Sequence, residues 1–147
     1  MAITDIGHSA YGVSDIDASL SFYALLGITE SFRLLRADGS LALVYLHISG
    51  DRFIEIFPGG PAADTRADGK TVSYKHLCLL SDDIVNDVEG LRAKGVTIDV
   101  EPKVGGDLNT QAWITDPDGN KIELMQIADD SPQRAVEQGR EPVVGTL

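Results

Sequence analysis

Ala112-Trp113-Ile114-Thr115-Asp116-Pro117-Asp118-Gly119-Asn120-Lys121-Ile122-Glu123-Leu124-Met125-Gln126 reads as a strand, a tight turn and a second strand. Asp-Pro-Asp-Gly makes the turn: Pro117 presets its φ, and Gly119 accepts the backbone angle that closes it. Side chains alternate along a strand, so Ile122 and Leu124 share one face, and Lys121, Glu123 and Met125 the other. The aliphatic face belongs against a core. Glu123 therefore points the opposite way, in mid-strand.

The pattern occurs twice. Arg52-Phe53-Ile54-Glu55-Ile56-Phe57 follows a Ser49-Gly50-Asp51 turn, with Ile54 and Ile56 on one face and Phe53, Glu55 and Phe57 on the other. Two further strands carry one histidine each: Ile6-Gly7-His8-Ser9-Ala10-Tyr11 and Tyr74-Lys75-His76-Leu77-Cys78-Leu79. His8 and Glu55 are 47 positions apart, and so are His76 and Glu123. One unit is thus present in two copies displaced by 68 positions, each with His on its first strand and Glu on its last.

The chain read in order fills in both copies. Residues 3–13 read as a strand, followed by a helix that Ser14 or Asp15 can cap, with Ile16, Leu20, Tyr23 and Ala24 as its apolar stripe. Gly27 ends that helix. Strands follow at 29–35, 41–48 and 52–57, with a turn at 37–40. In the second copy a strand at 74–80 leads to a helix capped by Ser81 or Asp82, with the stripe Ile84, Val88 and Leu91 and a stop at Gly95. Strands at about 96–101, 110–115 and 121–126 complete it. The organisation is therefore a βαβββ module at 1–57, a Gly/Pro/Asp/Ala-rich linker at 58–72, a second βαβββ module at 73–127 and a polar tail at 128–147. The tail has no apolar period and is expected to be flexible. Gly105-Gly106-Asp107 is either a plain turn or a place where backbone approaches a ligand.

Composition limits the function classes. The 147 residues suffice for one compact domain or two small packed halves, and the apolar runs are too short to cross a bilayer. A net charge of −11 argues against nucleic acid and anionic membrane as partners, leaving a small molecule. A single cysteine excludes an internal disulfide framework, and with no export signal in the sequence a cytoplasmic protein is expected.

By parity, His8, Glu55, His76 and Glu123 all face away from the helix side of their strands, which is formed by Ile54, Ile56, Leu77, Leu79, Ile122 and Leu124. Taken singly, a strand histidine is an ordinary structural residue and a strand glutamate an ordinary solvated one. The matched interval and parity of all four favour one shared site. Two imidazoles and two carboxylates form a mixed N/O set that suits a divalent ion such as Ni, Zn, Co, Mn or Fe, with positions left open for substrate. If the hairpins turn about Gly50 and Asp118, Tyr45 lies across from Glu55 and Trp113 across from Glu123. A one-residue slip would instead bury Trp113 in the core. Tyr45, Phe53, Phe57, Tyr74, Trp113 and Met125 are accordingly the candidate substrate-binding residues. His47 shares the parity of Tyr45 and is expected nearer the rim, and Cys78 is expected to face inward.

These residues carry a resemblance. The sequence is similar to the vicinal oxygen chelate (VOC) superfamily, the glyoxalase–bleomycin resistance–dioxygenase family, and most of all to small glyoxalase I. The likeness runs over residues 3–126, and the 116–124 turn-and-strand phrase is typical of it. It implies an α+β fold in which tandem βαβββ modules form a cupped mixed sheet. It also implies a metal held by His8, Glu55, His76 and Glu123, and a homodimer whose sites are shared between subunits. The implied chemistry is that of a lyase or isomerase: a metal-bound enediolate forms as a proton moves between adjacent carbons of an α-oxygenated carbonyl substrate. Glu123 is the expected principal base and Glu55 a ligand and second base, although their near-symmetry allows the two roles to be exchanged. One departure stands out. Small glutathione-using glyoxalases have an arginine four positions after the first histidine, where this chain has Gly12. Arg33 and Lys103 are the remaining candidates to hold a glutathione carboxylate. Three rivals share the superfamily: an Fe(II) dioxygenase, a metal-dependent epimerase, and a drug-binding resistance protein that is no enzyme.

Overall fold

The computed structural model describes residues 5–60 and 75–143. The chain divides into two compact units, Met1–Arg66 and Ala67–Leu147. Most of the expected linker (61–72), Tyr74, and the first residues of both expected opening strands lie outside the described residues.

The first unit runs β1 (His8–Gly12), α1 (Ile16–Leu25), β2 (Thr29–Leu35), β3 (Leu41–Ser49) and β4 (Arg52–Phe57). Its sheet has the order β1-β4-β3-β2, with β1 parallel to β4 and the remaining pairs antiparallel. The second unit repeats this with β5 (Leu77–Leu80), α2 (Ile84–Ala93), β6 (Val100–Val104), β7 (Thr110–Thr115) and β8 (Lys121–Gln126), in the order β5-β8-β7-β6. Each unit is the βαβββ module expected from the repeat.

Local chemistry explains the helix ends. Asp15 caps α1, its carboxylate accepting from Ala18 N at 3.0 Å, and Gly27 follows at φ +79°. In α2 the cap falls one residue later than the sequence suggests. Asp83 accepts from Asn86 N, while Ser81 Oγ instead receives Asp83 N at 3.1 Å. Gln126 Oε1, at the end of β8, accepts from Ile84 N at 3.0 Å and so fastens the start of α2 to the sheet.

The core is the aliphatic parity of the central strands: Val44, Leu46, Ile54 and Ile56 in one unit, Ala112, Ile114, Ile122 and Leu124 in the other. Burying an aliphatic side chain of this size contributes about 1.5–3 kcal/mol. Ile84, Val88 and Leu91 are buried as their spacing implied. In α1, Tyr23 of the expected stripe is buried together with Ser19, while Ala24 is exposed and Ile16 and Leu20 are half-buried. β6 begins at Val100 instead of about 96, because Val96 N closes the α2 terminus on Leu91 O at 3.0 Å.

The tail differs from expectation too. Residues after 128 form a short helix, α3 (Pro132–Glu137), started by Ser131, whose hydroxyl accepts from Arg134 N at 3.1 Å. Its anchor is Asn109, a fully buried polar side chain whose Oδ1 accepts from Ala128 N at 3.0 Å and whose Nδ2 donates to Asp107 and Gln133. Among the described residues no helix is long and apolar enough to span a membrane.

Candidate metal centre

In the first unit, β1 and β4 pair in parallel with Ala10 opposite Glu55, which leaves His8 one strand residue pair away on the same face. His8 Nε2 lies 3.5 Å from Glu55 Oε2. The second unit reproduces this arrangement: Cys78 is opposite Glu123, and His76 Nε2 lies 3.1 Å from Glu123 Oε2. His76 precedes β5 instead of lying within it.

These separations can be tested against a metal. Two donors about 2.1 Å from one ion stand about 3.0 Å apart at a right angle and about 3.4 Å apart at a tetrahedral one. Both pairs match such an edge. Both carboxylates are nearly dry, Glu55 at 8% and Glu123 at 4% exposure, a costly position for an unneutralised charge. Among the described residues neither is paired to a lysine or arginine. Within each unit, no third His, Cys, Asp or Glu joins the pair to complete a metal-holding group among the described residues. Each unit therefore presents one His–Glu pair, and its donor chemistry fits a divalent cation.

The hairpin registers bring up the expected aromatics. Tyr45 lies across from Glu55 and Trp113 across from Glu123. The Tyr45 hydroxyl donates to Glu55; that bond, then burial, then the Glu55 charge raise the tyrosine's pKa. Trp113 stands edge-on to His76 at 4.8 Å, while Ala112 and Ile114 take the core, so the slipped register is excluded. The turn that sets this register is tied by Asp116, which accepts from Asp118 N at 3.0 Å and from Asn120 N at 2.7 Å. Gly119, at φ +79°, closes it.

Phe53 meets Tyr45 edge-on at 6.0 Å, and Phe57, two residues beyond Glu55, is partly exposed. Met125 is buried opposite Gln111. His47 is exposed, its Nε2 3.0 Å from Gly50 O. Cys78 pairs with Glu123 and shares its face, as expected, although the residue is exposed because β5 is the sheet's edge strand. Its thiol nonetheless turns toward Glu123; partial burial, then that carboxylate, push its pKa up to about 12. Arg33 is held by Glu30 at 2.7 and 2.6 Å, and Lys103 lies opposite Gln111. Gly105-Gly106-Asp107 is a packed turn: a Cβ on Gly105 would sit 2.6 Å from Gln111 Nε2.

Two further residues of these faces were not among the expected ones. Phe32 stacks on Tyr45 at 4.4 Å, but a register shift between Glu30 and Phe32 hides its parity. Gln111 shares the face of Trp113 and was legible from the two-residue step alone.

The family model of the Glyoxalase/Bleomycin resistance protein/Dioxygenase superfamily matches residues 5–124. The chain belongs to that superfamily. Among superfamily relatives, it is 33% identical over 128 residues to a lactoylglutathione lyase of Haemophilus influenzae, covering 81% of this chain and 90% of that one. Among solved structures it is similar to TnmS3, an antibiotic binding protein from Streptomyces sp. CB03234. That match has 28% identity and a TM-score of 0.68, and covers 87% of this chain and 99% of the other. A glyoxalase family protein from Enterococcus faecalis, 22% identical with a TM-score of 0.72 and 85% and 99% coverage, shares the fold.

Proposed function

We propose that this superfamily member is a divalent-metal-dependent lyase or isomerase of the glyoxalase I kind, moving a proton between adjacent carbons of a small α-oxygenated carbonyl compound. The observation that carries this reading is the twin His–Glu pairs, register-equivalent in the two modules and spaced like edges of a coordination shell. His8, Glu55, His76 and Glu123 would hold the ion together, in a homodimer whose sites each draw one module from each chain. The bound ion would supply Lewis acidity toward the substrate's neighbouring oxygens.

The remaining work belongs to side chains. Glu123 takes the proton from one carbon and returns it to the next, within hydrogen-bond reach in a site that excludes water. Glu55 is the poorer candidate for that movement, since the Tyr45 hydroxyl already donates to it. Trp113 faces Glu123 across the hairpin with its ring edge-on to His76, and the carboxylate is only 4% exposed. The likeness to the H. influenzae lactoylglutathione lyase supports the reaction class.

The test is elemental analysis of protein purified without chelator, followed by a metal-reconstituted screen across hemithioacetals and α-hydroxyketones, with Glu123→Gln as control. Stoichiometric metal and turnover that vanishes in the variant are expected. Oxygen uptake with catechols would replace this reading by a dioxygenase. A second reading, a ligand-sequestering protein, is favoured by the likeness to TnmS3; absence of stoichiometric metal would select it.

A further inference from the structure

Equivalent positions of the two modules carry different chemistry. The first module's Glu55 face presents Phe32, Tyr45, His47, Phe53 and Phe57. At the positions equivalent to His47 and Phe53 the second module has Thr115 and Lys121, 68 residues on. There Lys121 Nζ donates to Thr115 Oγ1 at 2.7 Å and to Asp99 at 3.1 Å. At these two positions the duplicated frame has rings on one face and hydrogen-bonded polar groups on the other, while Trp113, Met125 and Val100 stand where the first module has Tyr45, Phe57 and Phe32.

The rings are ordered. Phe32 and Tyr45 stack at 4.4 Å with 18° between planes. Tyr45 meets Phe53 edge-on at 6.0 Å and His8 edge-on at 6.3 Å. The series thus starts beside the His8–Glu55 pair and ends on the edge strand, where Phe32 remains 46% exposed. Cations are spoken for. Residues 5–60 contain no lysine and three arginines. Arg33 is held by Glu30, Arg36 by Ser40 and the Leu41 carbonyl, and Arg52 by Asp5 at 2.5 Å. At Gly12, where a glutathione-binding arginine was expected, a Cβ would meet nothing within 4 Å.

We propose that this face receives a flat aromatic ring, so that the substrate is an aryl compound bearing its neighbouring oxygens beside the ring, and not an anionic peptide–thiol adduct. The inference rests on the metal-site reading above for the oxygens, and on the ring series alone for the aryl group. Edge-to-face and offset-stacked contacts favour a planar ring over a saturated one of equal size. An anionic tripeptide, by contrast, would find no uncommitted arginine among the described residues of this module to take its carboxylates in the paired geometry they require.

The test uses full-length protein and three unreactive probes: mandelate, its cyclohexyl counterpart hexahydromandelate, and lactate. Calorimetric titration gives the affinities, and metal content is measured on the same samples. Mandelate is expected to bind about tenfold tighter than either other probe, with the preference falling to about twofold in Phe32→Leu and Phe53→Leu. Phe32 is half-exposed and outside the core, so its replacement leaves the fold intact even if Phe53→Leu does not. Equal affinity for mandelate and hexahydromandelate, or no mandelate binding by metal-containing protein, overturns the proposal. So does a Phe32→Leu variant that changes sedimentation but not ligand preference, since the face would then be covered by a second chain. An aryl preference without stoichiometric metal would support the ring face while refuting the proposed function.

Discussion

Tyr45 and Trp113 occupy equivalent hairpin positions, yet only Tyr45 brings a hydroxyl to its glutamate. If Glu55 holds a metal as proposed, that hydroxyl would orient its carboxylate, as groups behind a metal ligand commonly do. Tyr45→Phe is therefore expected to weaken metal binding by about 10–100-fold, read by competition with a chromophoric chelator. Glu123→Gln is expected to lower kcat by about 10²–10⁴-fold in single-turnover assays at saturating metal, the span typical of losing a general base. Equal loss in Glu55→Gln with Tyr45 intact would assign the proton transfer to both carboxylates.

Hairpins and, apart from the α2 cap, helix ends were the legible elements. The Asp116-Pro117-Asp118-Gly119 turn states its own geometry, and the alternation around Glu55 and Glu123 predicts register without any tertiary information. β2, β4, β7 and β8 fall where the pattern puts them. α3 was not legible, because its stability comes from Asn109, a residue with no local reason to be buried. Phe32 was hidden by a register irregularity, and nothing short of the paired strands reveals it. Asn109→Ala should release α3 and leave Ala128 N without its acceptor, costing about 1–3 kcal/mol in urea unfolding, with faster exchange at that amide. A second element, β6 to β8, is clasped by Asp99. A hydrogen bond from Thr115, then one from Lys121, against a burial effect of opposite sign, holds its carboxyl below the usual range. A carboxyl depressed in the folded state stabilises above its unfolded pKa and stops doing so as pH falls through its folded one. Asp99→Asn should thus lower Tm at pH 7, and the gap from the parent chain should close as pH drops below about 3.9.

At the scale of the molecule, the two His–Glu pairs make a stoichiometric prediction. If both pairs serve one ion, His8→Ala and His76→Ala each abolish binding of a single ion per chain, whereas independent pairs would each lose one of two. If sites are shared across a homodimer, mixing the two inactive variants should restore about a quarter of the parent activity. Half of the dimers are then mixed, and each mixed dimer keeps one undamaged site. No recovery on mixing would place both halves of a site in the same chain. The strict alternation along β3 and β4 has a further consequence. Val44, Leu46, Ile54 and Ile56 hold the sheet together, while Leu43, Tyr45, Phe53 and Phe57 face the other way. If this face takes the substrate as proposed, combinatorial replacement at the exposed Phe32 and Phe57 would rewrite selectivity at little cost in thermostability, which makes this module a natural starting point for directed evolution.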